Sequence, residues 1–193
     1  MQHFGLNLHL LYKVTLKTDL NIVIDGCKSN NAQDQRKLFE MIAPKMLTIC
    51  QRYVKNPDAA KDVLQEGFIV LFDKISTYKG DGPFEGWARK IFINTALMHI
   101  RKNDVLKYSD NIEDTLSLGV YDSNVLDEIS ASEIFKLVSS MPDGFRTVFN
   151  LAVIEGYNHI EIAKMLSITE SGSRSQLSRA RMWLQERLKN NKY

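Results

Sequence analysis

The stretch HIEIAKMLSITESGSRSQLSRARMWLQERL, residues 159–188, decides how the fold is read. Ile160 to Leu166 spaces its apolar side chains as a short amphipathic helix, and Asn158 stands where such a helix needs a cap. Ser167-Ile168-Thr169 leaves room only for a tight connection. A longer helix is predicted from Ser171 to about Lys189, with Leu177, Ala180 and Leu184 on one face. A short helix, a brief turn and a longer basic helix make a helix-turn-helix pattern. Ala163 is small enough for a close crossing of the two helices, and Ile168 can plug the turn into a core. The second helix is expected to present Ser171, Arg174, Ser175, Gln176, Ser178 and Arg179 outward, with Ser173 beside them. Arg and Gln can read base edges in pairs of hydrogen bonds, and hydroxyls near a helix N-terminus can hold phosphates. Arg181, Arg187 and Lys189 lie further along, at phosphate-contacting positions. A solvated hairpin whose arginines merely face water has the same spacing, so the pattern alone leaves both readings open.

Working outward, a helix is predicted over about Asn124–Met141, stopped by Met141-Pro142, and another over about Gly144–Glu155, stopped by Gly156. Upstream, residues 104–133 carry eight acidic side chains against the single basic Lys107, with Ser, Asn and Gly and no sustained period. Residues 104–125 therefore read as a flexible acidic linker. The first half holds four helical stretches: about Thr18–Cys27, Ala32–Val54 capped by Asn30 or Asn31, Pro57 to about Tyr78, and Phe84–Lys102. The run Asn21–Asp25 carries a weak strand signal, short and isolated. The expected architecture is all-α, with two small helical domains at 18–103 and 126–193 around that linker and an N-terminal extension at 1–17.

The composition is that of an ordinary soluble protein, 44% hydrophobic and 25% charged. A net charge of +2 does not by itself announce a nucleic-acid binder, but residues 170–193 hold six basic against two acidic side chains. Cys27 and Cys50 form no CxxC pair and the four histidines are scattered, so no metal, no cofactor and no disulfide framework are expected, and a reduced cytoplasmic setting fits. Met1–Tyr12 lacks a basic start and a small-residue cleavage site, so it is not expected to be a signal peptide, and no apolar run is long enough for membrane insertion. There is no Gly-rich phosphate loop and no nucleophile–base pair, so an enzyme is not expected.

Two further surfaces carry chemistry. In the third helix Asp62, Gln65, Glu66 and Asp73 lie away from the stripe Val63–Leu64–Leu71, either simply solvated or offered to a partner. Around the fourth helix, Tyr78, Phe84 and Trp87 cluster with Lys79, Arg89, Lys90, Arg101 and Lys102. Aromatics among basic residues can receive unstacked bases while the charges hold the backbone, although Trp87 and Phe84 suit a core equally. Asn94, polar within an apolar stretch, can reach a base or satisfy a buried backbone group.

The segment NPDAAKDVLQEGFIVLFDKISTYKGDGPFEGWARKIFINTALMHIRK (Asn56–Lys102) resembles region 2 of the extracytoplasmic-function sigma factors. Met141–Leu188, beginning MPDGFRTVFNLAVIEGYN, resembles their region 4. With the preceding helices the match covers about Leu20–Lys102 and Leu126–Leu188, both domains in order. The resemblance implies an RNA polymerase sigma factor. Asp62, Gln65 and Glu66 would dock on a coiled coil of the β′ subunit. Tyr78, Lys79, Phe84, Trp87, Arg89, Lys90, Asn94 and Arg101 would face the −10 element of promoter DNA, trap a flipped base and open the duplex. Ser171, Ser173, Arg174, Ser175, Gln176, Ser178, Arg179 and Arg181 would enter the major groove of the −35 element beside the polymerase β flap. The linker would thread toward the RNA exit path, and family members are often held by an anti-sigma factor. The chain departs from the family pattern at Met98, where Asp is common, His99, where an aromatic is common, and Lys90, where Arg is usual. Gly172 and Ser173 stand where Thr and a larger apolar residue are frequent, and Gly172 loosens its helix by about 1 kcal/mol relative to Ala. Residues 1–17 have no counterpart in that pattern. The competing reading is a stand-alone helix-turn-helix regulator, which predicts tight duplex binding and dimerisation by the isolated chain.

Overall fold

The computed structural model describes residues 20–102 and 131–190, and within them the chain is helical throughout its regular elements. The extension expected at 1–17 and the linker expected at 104–125 lie outside the described residues.

The first module holds α1 (residues 20–28), α2 (Ala32–Tyr53), α3 (Pro57–Lys74) with a 3₁₀ turn at Ile75–Thr77, and α4 (Phe84–Lys102). The run 21–25 is helical, not extended. Val23, Ile24 and Cys27 recur at helical spacing and are all buried, so packing overrides the β-branched composition. Asn31 caps α2 by accepting from the backbone N–H of Gln33 and Asp34, at 2.9 and 3.2 Å. Asn56 caps α3 in the same way, with Pro57 in its first turn. Leu38, Met46, Tyr53, Val63, Leu71, Phe92 and Ile93 fill the core between the three long helices. Each such side chain stabilises the module by roughly 1.5–3 kcal/mol. At the α3–α4 crossing a Cβ on Gly67 would stand 2.4 Å from the Phe92 ring, so only glycine lets the two helices meet there.

The second module holds α5 (Ala131–Ser140), α6 (Asp143–Phe149) continued by a π-helical turn (Asn150–Ile154), α7 (His159–Leu166) and α8 (Glu170–Asn190). Gly156 adopts φ +78°, which ends the π turn and redirects the chain. Asn158 and Glu161 form a reciprocal capping box at the start of α7. Ser167 is left-handed at φ 57°, and the Ile168 N–H then bonds the Ala163 carbonyl at 3.1 Å, closing the tight turn before α8. Ile168 packs against the core formed by Met141, Phe145, Val148, Leu151, Ile162, Leu166, Leu177 and Ala180.

The modules touch where α2 ends. Arg146 Nη2 donates to the Tyr53 carbonyl and Asn150 Nδ2 to the Arg52 carbonyl, both at 2.8 Å. Lys55 pairs with Asp143 at 3.1 Å, and Asp143 also faces Arg146 at 2.8 Å. Arg89 of α4 holds Glu155 through two hydrogen bonds, its Nη2 at 2.7 Å, and Arg52 approaches the same carboxylate at 3.5 Å.

Candidate nucleic-acid and polymerase surfaces

The loop from Thr77 to Pro83 is shaped by Gly80 at φ +84° and by the Tyr78 hydroxyl, which donates to the Gly82 carbonyl at 2.6 Å. Tyr78 stacks edge-on against Phe84 at 5.1 Å and leans on Trp87 at 5.5 Å. Phe84 is buried, so of the three rings it is the foundation, in core and out of reach of DNA. Tyr78 and Trp87 are half-buried and line a cavity of about 370 Å³ together with Thr77, Lys79, Gly86 and Lys90. Trp87 packs against Phe84 on one side and walls the cavity on the other.

Down α4, Trp87, Lys90, Asn94 and Arg101 follow one another at helical spacing on one face, and all but Trp87 are exposed. Asn94 therefore points to solvent, not to a buried backbone group. Met98, 68% exposed, lies on the same stripe, at the position where the family commonly has Asp. Arg89 departs from expectation. It projects from the opposite side of α4, where Glu155 captures it and holds its guanidinium above the ordinary range for arginine.

On α8, the Thr169 hydroxyl caps the helix by accepting from Gly172 N–H at 2.9 Å. A Cβ on Gly172 would come within 3.0 Å of that oxygen, which gives the departure from the family pattern a local reason. Ser171, Arg174, Ser175 and Arg181 are exposed on one face, with Ser178 and Arg179 half-buried at its edges. Arg174 is held by Glu170 one turn back. Two expected members turn inward. Ser173 is fully buried and its hydroxyl meets His159 Nδ1 at 2.9 Å, tying α7 to α8. Gln176 is also buried, one turn along the stripe that carries Leu177 and Ala180. The cause is the helical period: 173, 176, 177 and 180 share the core-facing side.

Asp62, Gln65 and Glu66 are exposed on α3, in line with Asp58 and Asp73. Sequence reasoning missed Ile69, which stands 70% exposed in the middle of this acidic stripe. Its exposure is visible only once the α3 core face is known. Among the described residues no group of His, Cys, Asp and Glu could hold a metal ion, and no helix is long and apolar enough to cross a membrane.

Two small helical modules, one with an aromatic and basic ridge and one with a helix-turn-helix, define a class of protein that engages nucleic acid at two places. Comparison with known proteins supplies the rest. The family model for sigma-70 region 2 matches residues 38–105, and that for sigma-70 region 4 matches residues 131–184. The chain is 26% identical over 148 residues to the ECF RNA polymerase sigma-E factor of Escherichia coli, covering 71% of this chain and 77% of that one. It is 26% identical over 163 residues to the ECF RNA polymerase sigma factor SigW of Bacillus subtilis, covering 79% and 87%. Among solved structures, the sigma factor RpoE from Bartonella quintana, in complex with the anti-sigma factor NepR, aligns at a TM-score of 0.49 with 19% identity, over 82% of this chain and 98% of that one. The chain belongs to the extracytoplasmic-function sigma factors of the sigma-70 family. It is an RNA polymerase sigma factor that directs the core enzyme to promoters in transcription initiation.

Proposed function

We propose a division of the work among three surfaces. The acidic stripe Asp62–Gln65–Glu66 around Ile69 grips the β′ coiled coil of core polymerase. The cavity between Tyr78 and Trp87 takes an unstacked base of the −10 non-template strand, with Lys79, Lys90, Asn94 and Arg101 following the backbone and the neighbouring base edges. The outward face of α8 (Ser171, Arg174, Ser175, Ser178, Arg179 and Arg181) enters the major groove of the −35 element, beside the β flap. The domain limits that go with this reading are 18–103 and 126–193.

The observation that carries it is the cavity walled by two aromatic rings and rimmed by Lys79 and Lys90 with the single acid Asp81. An aromatic wall offers a flipped base a stacking partner that duplex DNA cannot use, so binding favours the melted strand and shifts the equilibrium toward it. The chain itself makes and breaks no bond, and the chemistry stays with the polymerase. It acts in the cytoplasm, and an anti-sigma factor would compete for the α3 stripe. The test is run-off transcription with core polymerase and the double variant Asp62→Lys/Glu66→Lys. Reversal of two charges should abolish core capture and run-off while α8 still binds a −35 duplex. Wild-type capture of core by that variant sinks the docking assignment.

A further inference from the structure

We infer, on the reading that the cavity between Tyr78 and Trp87 receives an unstacked base, that Lys28 of α1 is a further DNA-contacting residue of the −10 site. It takes the backbone phosphate beside the nucleotide whose base has left the stack.

The placement of Lys28 starts with the period of α1. Val23, Ile24 and Cys27 are buried and fasten this helix to the module. Lys28 follows Ile24 by four residues, so it stands one turn above it, at the border between the buried face and solvent. It is also the last residue of the helix, where the dipole is negative and favours a cation. Behind it the chain turns at once: Asn30 takes φ 57° and Asn31 caps α2. The cation therefore rides on a short helix fixed both along its face and at its end.

That fixed position lies against the cavity wall. Lys28 Nζ stands over the Tyr78 ring, 5.9 Å from its centroid, where the negative face of the ring attracts it. Its side chain is 33% exposed, against 48% to 64% for Lys55, Lys37, Lys61 and Lys45, the other ion-paired lysines of this module. A lysine more enclosed than its peers has less rotamer freedom left to lose when it grips an anion. Its carboxylate neighbour does not use it up. Asp25 approaches at 3.4 Å with a side chain 74% exposed, and an open surface pair of this kind is easily exchanged for another acceptor. An ammonium has three protons to donate, and a phosphate takes them in charge-assisted bonds.

The surroundings select the ligand. Within the α3–α4 hairpin Tyr78 is held by its hydroxyl on the Gly82 carbonyl and by the rings of Phe84 and Trp87. Lys28 comes to the same ring from outside the hairpin, and from outside the cavity lining. In that lining Lys79 and Lys90 against Asp81 leave one positive charge, and Lys28 supplies a second at the Tyr78 wall. A nucleotide that lays its base against these rings carries its phosphates away from the base, so the strand needs cations beside the rings as well as at the mouth of the cavity. Lys28 is such a cation, on a different helix from Lys90. Because base and phosphate are then gathered around one tyrosine, the contact favours the melted strand over the duplex.

The test is binding of holoenzyme to forked DNA, single-stranded through the −10 element, at a series of salt concentrations. Each phosphate neutralised on a single strand contributes about 0.7 to the slope of log affinity against log salt. Lys28→Gln, which removes the charge and keeps most of the stem, should flatten the slope by about that amount. The advantage of wild type over this variant should then shrink roughly fivefold over a tenfold rise in salt. Lys28→Arg, which keeps the charge, should restore the slope, and both variants should bind a −35 duplex like wild type. An unchanged slope in Lys28→Gln overturns the phosphate contact, whether affinity is untouched or falls equally at every salt concentration; the second result would make Lys28 only a prop for Tyr78. A slope in Lys28→Arg as shallow as in Lys28→Gln also overturns it. Failure of the underlying reading looks different: Trp87→Ala would then leave forked-DNA affinity unchanged whichever residue stands at position 28.

Discussion

Replacing Trp87 by alanine removes one wall of the cavity beside the α3–α4 loop. The ring touches Tyr78 and Phe84, each at 5.5 Å between centroids. At about 0.5–1.5 kcal/mol per ring pair, the module should lose roughly 1–3 kcal/mol of stability from the ring contacts, on top of the apolar area that Trp87 buries. Stacking of a base on an aromatic contributes about 1–3 kcal/mol in addition. That converts to roughly a 5- to 150-fold weaker grip on a single-stranded −10 segment. The assay is binding of holoenzyme to forked DNA, duplex upstream and single-stranded through the −10 element, compared with a −35 duplex alone. Trp87→Ala should weaken the first and spare the second. Trp87→Phe, which keeps a flat face, should recover most of the affinity, and thermal unfolding separates the folding loss from the binding loss. Forked-DNA affinity equal to wild type in a folded Trp87→Ala protein would refute base capture by this cavity.

Two other outcomes follow from the geometry. On α8, Arg174→Ala should cost −35 duplex binding about 1–3 kcal/mol. Ser173→Ala should instead lower the unfolding midpoint by the loss of its bond to His159, about 0.5–1.5 kcal/mol, with sequence preference unchanged; a changed base preference in Ser173→Ala would return that residue to the DNA face. The buried thiols give a pH signature. Burial, helped by Asp34, raises Cys27 to about 11, and burial raises Cys50 to about 12, from an ordinary 9.0. The folded chain holds these protons more tightly than the unfolded one, so their contribution is whole below pH 9 and is lost as pH climbs through 11 and 12. Urea midpoints should fall between pH 8 and pH 10 more steeply for wild type than for Cys27→Ala/Cys50→Ala, and equal slopes would contradict the burial of the thiols.

Much of the fold was legible because its punctuation is chemical. Asn31, Asn56-Pro57, Gly156 and Asn158 mark helix ends by satisfying or releasing backbone groups, and α2, α3 and α7 begin within a residue of where those signals place them. The helix expected over about Thr18–Cys27 is present from residue 20, and the weak strand hint at Asn21–Asp25 gives way because Val23, Ile24 and Cys27 recur at helical spacing and are buried. The site was legible by type more than by residue. Ser173 and Gln176 looked like readers because Ser and Gln are polar, yet the period of α8 turns both inward. Arg89 looked like its neighbour Lys90, but one residue along a helix is a 100° rotation, enough to send it to Glu155. Ile69 could not be picked out, since an exposed apolar side chain is recognisable only against a known core.

The missing Cβ of Gly67 reaches beyond packing. With the Phe92 ring lying where that carbon would be, α3 and α4 have no slack between them. Under the proposed reading the two helices face different masters, one the enzyme and one the unwound strand. A joint without play would carry the position of the first straight through to the second. How far from the polymerase catalytic centre the bubble begins would then depend on the smallest side chain in the alphabet.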